Sequence, residues 1–265
     1  MPALKKQRID LRLTDEDKTM IEEAAAMTNQ TITQFMVNSA SERAAEVIEQ
    51  HRRLVLNEAS WNAVMDAIDN PPEPNERLKR AAKRLRNMER SAVENLTIEM
   101  FSEGTDYDFE DFDCGEPSLN AFLAEHLVRQ HNGRILRAYL LKERDRPRVL
   151  GYYTLSGSCF ERAMLPSKTQ QRRIPYTNVP SVTLGRLAVD KTLQGNEWGT
   201  TLVAHAMRVV YLASQAVGVH GIFVDALNER AKRFYLKQGF IPLTAENSHS
   251  LFFPTKSIER LFEQE

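Results

Sequence analysis

The stretch Gln194-Gly195-Asn196-Glu197-Trp198-Gly199 lies between a strand-like run, Val182 to Asp190, and a helix expected to start near Thr200. A glycine-bearing turn in that position exposes backbone amides at the positive end of a helix, where a pyrophosphate can be held. A second set of residues sits at the other end of the chain. Residues 5 to 13 alternate polar and apolar, so Ile9, Leu11 and Leu13 share one face of a short strand and Arg8, Asp10 and Arg12 the other. Two such strands, paired, form a ribbon small enough for the DNA major groove, where arginine can bond guanine bidentately. Thr31 and Thr33, at the start of the second helix, offer amides to a DNA phosphate and would fix the ribbon's register.

Basic side chains elsewhere suit an RNA. Arg129, Arg134 and Arg137 flank a helix and a strand, and Lys168, Arg172 and Arg173 lie in a polar loop of residues 166 to 175. Both groups would suit the phosphates of an RNA. His126, His131, His205, His220 and His249 show no metal-ligand spacing, and no metal site is expected. Cys159 reads as a packed thiol rather than a nucleophile.

The elements that must position these groups follow from periodicity. After the first strand, Thr14 caps a helix with acids in its first turn that runs to about Met27. A second helix begins at Thr31 or Thr33, with Phe35, Met36, Ala40, Ala44, Val47 and Ile48 on one face, and reaches about Gln50. One strand and two helices cannot close a core alone, and a single strand leaves both edges unpaired. A homodimer that pairs two strands antiparallel resolves both problems.

Residues 51 to 90 carry Leu54, Leu56, Trp61, Val64, Met65 and Ile68, then Pro71-Pro72-Glu73-Pro74, then a helix-like run with seven basic residues between Arg77 and Arg90. Too few apolar residues are present for a separate core, so this segment is expected to dock on something else. From about Asn95 strands and helices alternate. Strands are expected at Leu96 to Met100, Ile135 to Lys142, Val149 to Ser156, Ser181 to Val189, Gly221 to Ala226 and Ser250 to Phe253. Helices are expected at Pro117 to Gln130, Trp198 to Val217 and Asn228 to Gln238. The whole is an α+β chain whose larger part is a mixed sheet covered by helices.

Composition agrees with two domains: 265 residues and 42% hydrophobic content can bury more than one core. The net charge of -1 means that nucleic-acid binding must come from local clusters among the 35 lysines and arginines. Two cysteines make no disulfide framework, and the first residues show neither an apolar targeting run nor a span of membrane length. A cytoplasmic protein is expected.

Residues 4 to about 88 resemble the ribbon-helix-helix repressors, in particular the antitoxins that partner acetyltransferase toxins. The resemblance implies that residues 1–50 bind operator DNA through Arg8, Asp10, Arg12, Thr31 and Thr33 as an autorepressor. It also implies that residues 51–94 form a tail that wraps and neutralises a toxin. Residues 95–265 are similar to the GNAT acetyltransferases. That likeness rests on the turn described above together with Asn228-Glu229-Arg230-Ala231-Lys232-Arg233-Phe234-Tyr235-Leu236-Lys237-Gln238-Gly239-Phe240. Phe112-Asp113-Cys114-Gly115, Gly151-Tyr152-Tyr153, Leu184-Gly185-Arg186-Leu187 and Phe252-Phe253-Pro254-Thr255-Lys256 resemble the tRNA-acetylating toxins within that superfamily. The chain thus reads as antitoxin and toxin fused through Met88 to Asn95.

By this resemblance the cofactor is acetyl-CoA and the target the amino group of an aminoacyl-tRNA, contacted by Arg129, Arg134, Lys168, Arg172 and Arg173. Leu187, Ala188 and Val189 pair with the pantetheine arm. Gln194, Gly195, Asn196, Glu197, Trp198, Gly199 and Thr200 hold the phosphates, Asn228 positions the thioester, and Phe234 lies beside the cofactor. Tyr235 protonates the leaving thiolate as general acid.

The sequence departs from the family pattern at Glu197, which stands where the pyrophosphate loop usually has a glycine. A carboxylate and a Cβ there are expected to repel phosphate and crowd its approach. A second reading follows, an impaired enzyme acting as autorepressor or as an antidote to related toxins. A third, weaker reading is an acetyltransferase for a small amine or a protein terminus. If the paired ribbon reads bases, Arg12→Ala weakens operator binding by about 1 to 3 kcal/mol in a titration at fixed salt; unchanged affinity removes the base-reading role.

Overall fold

The computed structural model describes residues 10–28, 30–90, 95–162, 178–243 and 249–263, and the chain divides into two compact units, Met1–His51 and Arg52–Glu265. In the first unit Thr14 accepts the amide of Asp17 at 3.1 Å and caps α1 (Asp15–Met27). Helix α2 (Ile32–Arg52) opens on a reciprocal pair: the Gln34 amide donates to the Thr31 hydroxyl at 3.2 Å, and the Thr31 amide donates to the Gln34 side chain at 3.1 Å. The expected strand differs. Residues 10–13 form none, and residues 5–9 lie outside the described residues. A strand exists only through ladder bonds to a neighbour, and a single copy supplies none. Leu11 is 63% exposed and Met27 85%, so this unit leaves apolar surface uncovered.

The second unit is built on an eight-stranded mixed sheet. Its strands are β1 (Arg53–Leu56), β2 (Leu96–Met100), β3 (Arg137–Glu143), β4 (Val149–Arg162), β5 (Asn178–Val189), β6 (Gly221–Asp225), β7 (Ile241–Pro242) and β8 (Ser250–Pro254), in the order β2-β3-β4-β5-β6-β8-β7 with β1 beside β4. Strand β4 runs six residues beyond the expected Ser156. Its pairing with β3 ends at Leu155, which would leave an open edge, and β1 covers that edge in parallel from Cys159 to Arg162. Strand β1 is not legible from periodicity: four residues are too few to show alternation, although Leu56 is fully buried and Val55 is 55% exposed.

Residues 53–90 therefore belong to this unit. Asn57 caps α3 (Glu58–Asp69), which buries Trp61, Val64 and Ala67 against Phe160, Phe223 and Phe252 on the sheet. The prolines that follow are tied down, since the Ser257 hydroxyl donates to the Pro72 carbonyl at 2.6 Å and Arg260 pairs with Glu73 at 2.7 Å. Helix α4 (Glu76–Arg90) turns Leu78, Ala82, Leu85 and Met88 into the main core at helical spacing. It lies along α7 (Trp198–Ser214), with α8 (Glu229–Lys237) and α9 (Thr255–Phe262) completing that side. The opposite face of the sheet carries α5 (Pro117–Ala121), a π turn (Phe122–His126) and α6 (Leu127–Asn132) over Tyr152 and Leu140. Among the described residues no helix is long and apolar enough to cross a membrane.

Trp61 is the largest side chain that the tail places in the core. Trp61→Ala is expected to destabilise the full chain by about 3 to 5 kcal/mol in chemical denaturation; a loss below about 1 kcal/mol contradicts the packing.

Candidate active site

Strands β5 and β6 run parallel but pair only at Val182 with Ile222 and Thr183 with Phe223. Beyond Thr183 they part. A bulge accompanies the parting, because Leu184 and Arg186 face consecutive residues of β4 and leave Gly185 between them. A Cβ at Gly185 would stand 3.1 Å from the Thr154 hydroxyl, which accepts the Arg186 amide. Between the diverging strands opens a cleft of about 400 Å³, within the range of small-molecule sites.

Leu187, Ala188 and Val189 form one wall of this cleft, and Asn228, Phe234 and Tyr235 the other. Gln194, Gly195, Glu197, Trp198, Gly199 and Thr200 close its end. Asn196 is not among the lining residues; its carbonyl accepts a hydrogen bond from Arg84 at 2.8 Å. Two members have local duties besides. The Gln194 amide nitrogen donates to the carbonyls of Cys114 and Val189 at 2.8 and 2.9 Å, tying the end of β5 to the loop before α5. The Asn228 oxygen caps α8 by accepting the Ala231 amide at 2.9 Å, which orients its side-chain nitrogen as the donor for a ligand.

Tyr235 is buried between Phe234 and Phe240. Burial raises its phenol well above the ordinary value of 10.0, so the hydroxyl keeps its proton through neutral and mildly alkaline pH. Phe234 packs on the loop helix, where a Cβ at Gly199 would meet its ring at 3.3 Å. The loop before α5 is pinned from below: buried Asp190 accepts the Asp113 amide at 3.0 Å, and Asp113 pairs with Lys191 at 2.6 Å. That lysine, with Asn120 and the Gly115 amide, holds the Asp113 carboxyl down at about 2.

Glu197, expected to repel phosphate, has two basic partners. Its carboxylate lies 3.6 Å from the guanidinium of Arg77 and 3.6 Å from that of Arg80, both on α4. Arg77 also donates to the Thr200 hydroxyl at 3.3 Å, and Arg84 lies 3.7 Å over the Trp198 ring. The basic residues of 77 to 90 were visible in the sequence, but their target was not. Arg186 was visible only as part of a motif; it lines the cleft with its guanidinium 3.8 Å over Phe122.

The residues read as RNA contacts lie elsewhere. Arg129 and Arg134 are exposed around the end of α6, with Arg129 3.4 Å from His126 and Arg134 at φ 58°. Arg137 is likewise exposed, at the start of β3. Lys168, Arg172 and Arg173 fall outside the described residues, as does Arg8. Asp10 and Arg12 are exposed; Thr31 caps α2 and Thr33 lies in its first turn.

A mixed sheet whose neighbouring parallel strands β5 and β6 part to open a cleft, with a glycine-bearing turn at its end, defines an acetyltransferase architecture. The chain belongs to the acetyltransferase (GNAT) family, whose model matches residues 91–240, and the Antitoxin TacA 1-like family matches residues 8–87. It is therefore a fused antitoxin and toxin. A tRNA-acetylating toxin of Mycobacterium tuberculosis is 33% identical over 133 residues, covering 50% of this chain and 78% of that protein. The crystal structure of AtaTR bound with AcCoA matches at 65% identity and a TM-score of 0.60, covering 63% of this chain and 98% of that one. The crystal structure of the KacTA-DNA complex matches at 58% identity and a TM-score of 0.56, covering 64% and 99%.

Glu197 holds φ at 60°, a left-handed conformation costing a residue with a Cβ about 1 kcal/mol. Its ion pairs are exposed and contribute only a few tenths of a kcal/mol each. Glu197→Gly is thus expected to raise stability by up to about 1 kcal/mol, seen as a melting shift of about 2–4 °C; a lower melting point refutes the strain.

Proposed function

We propose that the second unit transfers the acetyl group of acetyl-CoA to the amino group of an aminoacyl-tRNA, and that the tail holds this activity down in the fused chain. The observation that carries the reading is the buried, protonated Tyr235 in the wall of a cleft whose other wall is the free edge of β5. Acetyl-CoA, when bound, supplies the acyl group as a thioester. The edge of β5 at Leu187 to Val189 that faces away from β4 has no strand beside it and suits an extended amide-bearing arm, and the turn at Gly195 to Thr200 suits its phosphates.

The amine nitrogen forms its bond to the acyl carbon as the carbon–sulfur bond breaks. Tyr235 donates its proton to the departing sulfur, and the amine gives up a proton to water. Acetylated, the aminoacyl group can no longer act as a nucleophile in translation. Arg129 and Arg134, with Lys168, Arg172 and Arg173, are proposed to meet the tRNA phosphates. The named relatives support this substrate, one being a tRNA-acetylating toxin and one a structure with AcCoA.

The N-terminal unit is proposed to pair with a second copy through residues 5 to 13 and to bind operator DNA with Arg8, Asp10, Arg12, Thr31 and Thr33, in the cytoplasm. Its exposed Leu11, Met20, Met27 and Val37 support pairing, and the DNA complex of a relative supports the ligand. The alternative, an enzyme impaired by Glu197 that acts as autorepressor or as an antidote to related toxins, rests on that residue's charge and Cβ; Arg77 and Arg80 offset the charge and leave the Cβ in place.

Labelled acetyl-CoA and charged tRNA test the reading on the full chain. Transfer to the aminoacyl group is expected, to fall by about 10²–10⁴-fold in Tyr235→Phe, and to rise at saturating acetyl-CoA when Leu85→Asp loosens the tail. If the phenol sets an alkaline limb, that limb lies above pH 10.0. Transfer unaffected by Tyr235→Phe overturns the assignment.

A further inference from the structure

Three arginines of α4 converge on the turn that closes the cleft. Arg77, Arg80 and Arg84 are spaced three and four residues apart, which puts them on one face of the helix. The opposite face is held in place by burial of Leu78, Leu85 and Met88 in the main core. Arg84 is fixed twice, to the Asn196 carbonyl and over Trp198. Arg77 and Arg80 instead share one carboxylate, and Arg77 itself lines the cleft. Two guanidinium groups facing a single charge at 3.6 Å leave positive charge unmatched beside Gly195 and Trp198. Both ion pairs are long and open to water, so a stronger anion can displace the carboxylate at little cost. A diphosphate carries more charge than Glu197 and presents oxygens that guanidinium groups bind bidentately.

Resting on the acetyl-CoA reading above, we propose that the coenzyme's phosphate site is composite. Arg77 and Arg80, contributed by the antitoxin segment, bind the diphosphate and take over from Glu197 at the position where that residue removes a glycine's open approach. The tail is then part of the coenzyme site rather than a plug in it.

Calorimetry of the full chain with coenzyme A, repeated with phosphate-free S-acetylpantetheine, tests the proposal. Arg77→Gln/Arg80→Gln is expected to weaken coenzyme A binding by about tenfold or more, the loss of charge-assisted hydrogen bonds, and to leave S-acetylpantetheine binding unchanged. Lys83→Gln, exposed on the same helix, controls for general charge and leaves both unchanged. An unaltered melting temperature shows that the double variant is folded. Unchanged or tighter coenzyme A binding by the folded double variant overturns the composite site alone, tighter binding marking the tail as a plug. An equal loss for S-acetylpantetheine also overturns it, by showing a general distortion of the cleft. Failure of the unaltered chain to bind coenzyme A overturns the acetyl-CoA reading and the composite site together.

Discussion

Two parallel strands that pair at only two positions and then separate set the geometry of the enzyme unit. Once β5 leaves β6 beyond Thr183, the backbone of Leu187 to Val189 has an edge that no strand of the sheet satisfies. Such an edge lines the cleft and leaves backbone donors and acceptors free for an extended partner. The bulge at Gly185 and the Thr154 hydroxyl maintain the divergence. Everything chemical is arranged around it: the glycine-bearing turn at one end and the buried phenol of Tyr235 in the facing wall.

The tail is a structural part of the second unit. Leu56 and Trp61 complete one hydrophobic cluster, and Leu78 to Met88 enter the largest one. Each large apolar side chain so buried contributes about 1.5–3 kcal/mol, enough in sum to make residues 53–90 a lasting part of the unit. Strand β1 adds backbone bonds to the exposed half of β4. An amphipathic helix fixed on its apolar face cannot choose where its polar face points, which is why the arginines of α4 rest on the turn at Asn196 and Glu197.

The N-terminal unit presents the opposite situation. Its helices are capped and its acidic first turn complements the helix dipole, yet Leu11, Leu13, Met20 and Met27 remain exposed. Local signals are satisfied while burial is not. A second copy of the same segment would supply both the missing ladder partner and the missing apolar cover, and would bring two sets of Arg8, Asp10 and Arg12 onto one ribbon.

Sequence by itself determined what depends on near neighbours. The caps at Thr14 and Asn228, the helices of the N-terminal unit, the strand–turn–helix around Gly195 and the Phe234-Tyr235 pair are all set by residues within a few positions of one another. The tertiary structure alone decided what depends on contacts distant along the chain. Strand β1 is invisible until β4 needs an edge covered, and β4 is longer than its own pattern suggests for the same reason. Glu197 read as a lone charge against phosphate because its partners lie more than a hundred residues earlier. Charge effects depend on distance in space, and only folding brings Arg77 and Arg80 to within 3.6 Å of that carboxylate.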